Sequence, residues 1–291
     1  MTTRTWMAVL VTLLFWSSAF AGIQAGLDGG YGAGEVVLLR FLTASAVFGV
    51  YTLTGRLRLP ARRDIPVIVG LALVGITVYH IALTFGEQTV EAGTASLIVA
   101  SAPVFTSLLA LVALRERLTP WGWFGMALGF AGVAIIALVG GRAPGFTRGA
   151  LLLLVCAVAT AVFFVYQKPL FARYKAIDLT AYFTWIGVIP MLVFLPGLIR
   201  EAPHATLSAT LACVYIGIFP AAIAYALWAY ALSKGRATTV SSTLYINPLL
   251  AILIAWIWLG ETPTGTALVG GAISLCGVAL VAWRGRRIRA A

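Results

Sequence analysis

Ten apolar segments, each roughly twenty residues long, follow one another along this chain of 291 residues. At ~1.5 Å per residue, a helix of that length crosses the hydrocarbon core of a bilayer once. Lipid offers no hydrogen bonds to the backbone, so such runs predict helices, which satisfy their own backbone groups. The segments run approximately 5–25, 34–54, 65–86, 93–114, 121–139, 149–171, 179–199, 207–232, 237–259 and 265–283. The sequence therefore predicts an all-α integral membrane protein with ten transmembrane helices.

The low charge content excludes an ordinary soluble domain. Only 10% of the residues are charged, against about 25% in soluble domains, and 61% are hydrophobic. The net charge of +11 would suggest nucleic acid in a soluble protein, but here the basic residues lie in the links between apolar segments. Membrane orientation and contact with the lipid bilayer explain them better, so we expect no nucleic-acid partner. Ala19 and Ala21 would suit a signal-peptide cleavage site, although the apolar run continues to Ile23.

No pattern in the sequence predicts metal, nucleotide or covalent chemistry. The cysteines Cys156, Cys213 and Cys276 lie inside apolar segments and lack metal-ligand spacing. Neither a G-x-x-x-x-G-K-[ST] loop nor an H-E-x-x-H motif occurs. We therefore expect no catalytic residues, no metal and no cofactor, and we do not expect an enzyme.

The positions of the basic residues predict the orientation in the membrane. If both ends face the cytoplasm, sixteen of the twenty Lys and Arg residues fall in inside links. Only Arg142, Arg148 and Arg200 fall in outside links, and Arg40 lies within a segment. Such a bias is typical of a multi-pass protein with both termini in the cytoplasm.

A stretch of the sequence occurs twice. Shifted by 145, Ala92–Ala137 aligns with Ala237–Ala282 without a gap, and fifteen of the 46 positions match. Chance would give roughly a tenth, so the match indicates internal duplication. The shift moves segments three, four and five onto eight, nine and ten, and a repeat of five helices must be inverted in the membrane. We predict two inverted five-helix repeats, residues 1–145 and 146–291, which is an architecture common among secondary transporters.

Polar residues within the segments are candidates for function. Charge inside a membrane is expensive, so Arg40 either binds a substrate carboxylate, or extends to the membrane surface, or pairs with Glu35 or another acid at a helix end. His80 shares a helix face with Thr84 and could line a cavity, couple to protons or be a buried, hydrogen-bonded histidine. Glu87 and Glu91 continue the same face and either line the cavity as well or, in the interpretation that we favour, lie in an outside link.

Aromatic and small polar residues form a second group of candidates. Such faces suit amphipathic solutes, which stack on the rings, although Trp and Tyr also anchor helices at membrane surfaces. We predict a cavity built from Arg40, His80, Thr84 and the following residues: Trp16, Ser17, Phe20, Gln24, Tyr79, Ser101, Phe164, Gln167, Tyr182, Trp185, Tyr225, Trp228, Tyr245 and Asn247. The corresponding Pro103 and Pro248 are either helix breaks near the transport site or simply tolerated prolines. Gly125 and Gly129, with their counterparts Gly270 and Ser274, predict close helix packing.

Several of these residues together carry a family resemblance. They are Trp16-Ser17-Ser18-Ala19-Phe20, Arg40-Phe41, the run of Ala95, Ser96, Pro103 and Glu116, and its echo at Ser241, Pro248 and Gly260-Glu261. The sequence resembles the EamA family of the drug/metabolite transporter superfamily, and within it the YddG-type amino-acid exporters. The resemblance implies ten helices with cytoplasmic termini around a central cavity, and export from bacterial cells through the inner membrane.

The expected function is therefore secondary transport. The chain would export aromatic and other neutral amino acids and related amphipathic metabolites by alternating access, and a monomer is compatible with this. The alternative is a broad-specificity exporter of cationic aromatic drugs, against which the scarcity of internal acids counts.

Overall fold

The fold is described by a computed structural model that covers residues 2–53, 57–102, 104–105, 109, 119–139, 147–234 and 243–284. The regular elements in these ranges are helices. They are α1 (Thr3–Asp28), α2 (Ala33–Thr52), α3 (Arg62–Glu87), α4 (Ala92–Val99), α5 (Pro120–Val139), α6 (Arg148–Ala172), α7 (Ala176–Glu201), α8 (207–234), α9 (Asn247–Leu259) and α10 (Gly265–Arg284). A short 3-10 turn, Thr243–Ile246, precedes α9.

Six of these helical stretches are long and apolar enough to cross a membrane, namely α1, α2, α3, α6, α7 and Leu207–Trp228 of α8. Large apolar side chains also cover the outside of the protein, and Val193 and Leu207 are each 73% exposed. An apolar exterior of this kind belongs in lipid. The structure agrees with the predicted all-helical membrane class, while the ten crossings and the inverted repeats stay predictions.

Threonine side chains cap the N-termini of several helices. The side chains of Thr2, Thr119, Thr147, Thr206 and Thr264 accept hydrogen bonds from backbone N–H groups in the first turns of α1, α5, α6, α8 and α10. Carboxylates from the second half do the same for α2 and α4. Glu201, the last residue of α7, accepts from the Gly32 N–H at 2.8 Å, and Glu261, between α9 and α10, accepts from the Ala92 N–H at 3.1 Å. These caps connect helices of the first half to the second half.

Helices α3 and α8 each contain a π-helical turn. The turns are Leu73–Val78 and Gly217–Ile223. The shift of 145 that aligns the duplicated stretch places 73–78 on 218–223, so the two turns occupy corresponding positions. At Gly75 a β-carbon would collide with the Phe163 ring of α6, and Pro220 lies inside the second turn. Because π turns concentrate at functional sites, the two turns indicate corresponding positions in α3 and α8 as candidates for function.

Helices α5 and α10 pack backbone against backbone. A β-carbon at Gly132 would collide with Gly270 and Ser274, and one at Gly277 would collide with Gly125 and Gly129. The packing role predicted for these small residues is confirmed. The two contacts are related by the same shift of 145, as a pseudo-two-fold arrangement would require.

A polar clasp joins two links that are predicted to face the cytoplasm. The buried Asp64 forms an ion pair with Arg173 at 2.8 Å and accepts a hydrogen bond from the Tyr174 hydroxyl at 2.6 Å. The Ala61 N–H donates to the same hydroxyl at 2.8 Å. The clasp therefore ties the entry to α3 to the end of α6.

Removing the Tyr174 hydroxyl should weaken this clasp. We expect Tyr174→Phe to lower the free energy of unfolding by about 1–3 kcal/mol, since a hydrogen bond to a charged group is lost. Thermal unfolding in detergent measures the change. Tyr166→Phe is the matched control, because Tyr166 is 47% exposed on α6. Equal shifts in the two variants would contradict a specific role for the clasp.

Candidate functional site

A cavity lined mainly by aromatic residues lies between helices of both halves. Its volume is about 30 Å³. Its lining residues are Trp16, Ile76, Phe163, Phe164, Gln167, Phe171, Thr180, Phe183, Tyr225 and Trp228. Pockets that hold small molecules usually measure about 300–1,000 Å³, so an amino acid could enter only if the surrounding helices moved.

Trp16 of α1 contacts Tyr225 and Trp228 of α8, and these three residues form what we call the aromatic wall of the cavity. The Trp16 ring centroid lies 5.2 Å from that of Tyr225 and 5.1 Å from that of Trp228. Its indole N–H donates to the Pro220 carbonyl at 3.2 Å. The wall therefore depends on the backbone of the π turn in α8, and a shift of that turn would move Trp16.

Five predicted residues meet in this cavity, namely Trp16, Phe164, Gln167, Tyr225 and Trp228. The lining also includes residues that the sequence analysis did not select: Ile76, Phe163, Phe171, Thr180 and Phe183. Of these, Phe163 carried a usable signal, because a shift of 143 aligns it with Phe20. The others are ordinary members of apolar segments.

Ser17 and Asn247 also come together, although they are 230 residues apart. The Ser17 hydroxyl lies 2.9 Å from Asn247 Oδ1 and 3.1 Å from the Asn247 carbonyl. Pro248 follows in the first turn of α9, where a backbone N–H would have no acceptor within the helix, so the proline removes no helical hydrogen bond. The contact anchors α1 at the junction between the 3-10 turn and α9.

Arg40 lies at the centre of a separate polar cluster. Its side chain is 2% exposed, and Nε and one terminal nitrogen have no hydrogen-bond partner. Tyr79, Glu87, Cys213 and Tyr225 are close enough to interact with it electrostatically. Its guanidinium also lies 5.6 Å from the centre of the Phe41 ring. Arg40 thus does not reach the surface, no hydrogen bond joins it to an acid among the residues that the structure describes, and two of its donors can bind a ligand.

His80 is fully enclosed beside Arg40. It is 1% exposed, its ring centroid lies 4.5 Å from that of Phe41 and 4.6 Å from that of Tyr79, and neither nitrogen has a hydrogen-bond partner. It does not line the cavity described above. It is not a hydrogen-bonded core histidine either.

The structure overturns the preferred interpretation of Glu87 as a link residue. It ends α3, is 0% exposed, and both of its carboxylate oxygens lack a hydrogen-bond partner. The apolar segment ends at Gly86, so the next acid resembled the start of a link. Packing of α6 against this end of α3 buries it, because Gly86 approaches Leu153 and the Gly149 carbonyl.

The other predicted residues lie away from the cavity lining. Phe20, Gln24, Thr84 and Ser101 are buried, and the last three bond to Asp28, the His80 carbonyl and the Ile98 carbonyl. Tyr182 donates to the Arg58 carbonyl at 3.0 Å, and Trp185 donates to the Ser45 carbonyl at 3.1 Å. Pro103 and the Tyr245 side chain lie outside the described residues.

Metal-binding groups do not cluster in the described ranges, where no three His, Cys, Asp or Glu residues could hold one ion. The described residues offer instead an aromatic cavity, a guanidinium near its lining residue Tyr225 with two unpartnered nitrogens, and a buried carboxyl group without hydrogen-bond partners. Such an arrangement can bind a solute that has a charged end and an apolar body.

Comparison with known proteins identifies the family. The sequence profile of the EamA-like transporter family matches residues 4–138 and again residues 147–283. A Bacillus subtilis (strain 168) protein named "Uncharacterized transporter YdfC" is 40% identical over 263 residues, which cover 90% of this chain and 86% of that protein. A Streptantibioticus cattleyicolor protein named "Probable terminal-alkyne amino-acid exporter" is 39% identical over 282 residues, which cover 96% of this chain and 94% of that protein.

The fold agrees with this result. A crystal structure whose chain is 24% identical superposes with a TM-score of 0.66 over 96% of this chain and 98% of its own. The resemblance noted for Trp16–Phe20 and Arg40-Phe41 is thus confirmed over nearly the whole sequence. The chain belongs to the EamA-like transporter family.

Proposed function

We propose that the protein is a secondary exporter of neutral amino acids, aromatic ones included, and of related amphipathic metabolites. The observation that carries this proposal is Arg40, which is buried with two unpartnered nitrogens close to Tyr225, a residue of the aromatic cavity. Arg40 would bind the carboxylate in a bidentate manner, and the cavity would hold the side chain by stacking.

Alternating access would move the solute. Both halves contribute to the cavity, Trp16 and Ile76 from the first and Phe164 and Tyr225 from the second, so rocking of one half against the other would open it. The family profile matches each half once, which supports the two inverted repeats. The π turns of α3 and α8 and the break before Pro248 are the points where we expect the helices to bend.

The name of a relative supports the substrate class. The Streptantibioticus cattleyicolor protein is named a probable terminal-alkyne amino-acid exporter and aligns with nearly the whole of this chain. We place the protein in the bacterial inner membrane with both termini in the cytoplasm, on the bias of its basic residues.

Glu87 favours a second candidate function. A buried carboxyl group without hydrogen-bond partners could hold the charge of a cationic aromatic drug. The scarcity of internal acids counted against this function in the sequence analysis, and Glu87 is such an acid. Transport of aromatic cations that amino acids do not inhibit would favour this function over amino-acid export.

Removing the Trp228 ring tests whether the cavity holds the substrate side chain. We expect Trp228→Ala to reduce counterflow of labelled phenylalanine in proteoliposomes about 10-fold, because stacking surface and shape are lost. Trp256→Ala is the matched control, since Trp256 is 57% exposed on α9. Trp185→Ala shows whether a tryptophan outside the lining also contributes, as the sequence analysis predicts. Normal counterflow in Trp228→Ala would contradict the cavity assignment.

A further inference from the structure

We infer that Arg40 and Glu87 are the two poles of one site that binds the charged end of a zwitterionic amino acid. Arg40 would bind the carboxylate and Glu87 the ammonium group. The inference rests on the proposed amino-acid transport and goes beyond it, because it requires both charges on the substrate. It also gives Glu87 a role that cation transport would explain differently.

The first argument is burial without hydrogen-bond partners. Arg40 is 2% exposed and Glu87 is 0% exposed, and four of their polar atoms have no hydrogen-bond partner. Leaving such groups unsatisfied in a membrane protein is expensive, so they mark functional sites by default. Glu87 has no partner at either oxygen, so no hydrogen bond joins it to Arg40. The side chains of Arg40 and Glu87 are thus both available to bind a ligand.

The second argument is the direction of the helices. Helices α2 and α3 run antiparallel, because the end of α7 contacts the start of α2 through Glu201 and Gly32, whereas Phe194 near that end contacts Phe85 near the end of α3. The Phe41 and His80 rings meet at 4.5 Å. Glu87 lies about 10 Å further along α3, towards the end where α2 begins. Helical side chains lean towards the N-terminus of their own helix, so those of Arg40 and Glu87 lean towards each other. A small polar group can lie between them.

The third argument is the surroundings of the two poles. Tyr79 lies within electrostatic range of Arg40, Glu87 and Tyr225, and Tyr225 lines the aromatic cavity. Among the residues that the structure describes, the other titratable neighbours are His80 and Cys213 near Arg40, with Cys156 and Glu261 near Glu87. An amino acid whose charged end binds here would therefore direct its side chain past Tyr225 into the cavity.

Opposite charges distinguish a zwitterion from simpler solutes. A cation held by Glu87 alone would be repelled by Arg40, and an anion held by Arg40 alone would be repelled by Glu87. A zwitterion neutralises both poles at once. The site should therefore reject amino acids in which either charge has been removed.

Competition against counterflow of labelled phenylalanine tests this directly. The competitors are phenylalanine, N-acetylphenylalanine, which lacks the ammonium, and phenylalaninamide, which lacks the carboxylate. With wild-type protein in liposomes, we expect each blocked compound to compete about 10- to 100-fold more weakly than phenylalanine. Equal competition by either blocked compound overturns the two-pole site. Absence of any phenylalanine counterflow overturns the proposed function itself.

Glu87→Gln tests the assignment of the ammonium pole. The amide is nearly isosteric, so we expect phenylalanine to bind about 10- to 100-fold more weakly while N-acetylphenylalanine is unaffected. The control is Glu91→Gln, since Glu91 is only partly buried just before α4. Equal losses for phenylalanine and N-acetylphenylalanine would indicate a structural role and overturn the assignment. If the variant does not fold, the wild-type comparison of blocked compounds still decides the question.

Discussion

Replacing Arg40 with glutamine is expected to lower phenylalanine counterflow by about 10- to 100-fold. A hydrogen bond to a charged group contributes about 1.5–3 kcal/mol, and glutamine can offer the carboxylate only a neutral donor. Because the proposed role is recognition rather than helix packing, the loss should appear mainly as weaker binding. Measuring the initial rate over a range of phenylalanine concentrations in proteoliposomes separates weaker binding from slower turnover.

Two further arginine variants make the Arg40 result interpretable. Arg40→Lys keeps the charge but not the planar fork, so we expect it to recover only part of the affinity. Arg200→Gln changes an arginine in the last turn of the α7 stretch and should leave transport unchanged. Full activity in Arg40→Gln, with normal folding shown by gel filtration, would remove Arg40 from the binding site.

The sequence predicted the aromatic part of the site because its signal is local. Trp16 and Gln167 stand out as amphipathic or polar residues within apolar segments, and both line the cavity. Phe183 lines the cavity too, but a phenylalanine in an apolar segment is equally suited to lipid or to core. Only the packing of α7 against its neighbours decides between these environments.

In the polar part of the site, Arg40 was selected directly whereas Glu87 was assigned by preference to a link, and the reason is geometric. Glu87 follows the last apolar residue of its segment, and hydropathy alone assigns such an acid to a link. Its burial depends on Gly86, whose missing side chain lets Leu153 and the Gly149 carbonyl of α6 approach. That contact joins residues more than sixty positions apart, which no local pattern records.

The pairing of Ser17 with Asn247 makes the same point. Each residue was selected alone as a polar group in an apolar segment, and their hydrogen bond at 2.9 Å spans 230 residues. By contrast, the small residues of α5 and α10 were predicted to pack because they lie four positions apart, and they do so in both copies of the duplicated stretch. Repetition within the chain supplied there the long-range information that a single segment lacks.

Adding one methyl group between α5 and α10 should test that packing most severely. At Gly132 the new β-carbon would meet the backbone of Gly270 and Ser274, and backbone cannot rotate away as a side chain can. We expect Gly132→Ala to lower the free energy of unfolding by about 1–3 kcal/mol or more, as overpacking does. Thermal unfolding in detergent measures it. Gly70→Ala is the control, since a β-carbon there meets nothing within 4 Å.

The symmetric substitution turns this experiment into a test of the repeat. Gly277→Ala places its methyl group against Gly125 and Gly129, on the same pair of helices. If one interface holds both contacts, the helices already separated by the first methyl group accommodate part of the second. The double variant should therefore lose less stability than the sum of the single variants. Additive losses would mean that the contacts are independent, and would contradict a single pseudo-symmetric interface between α5 and α10.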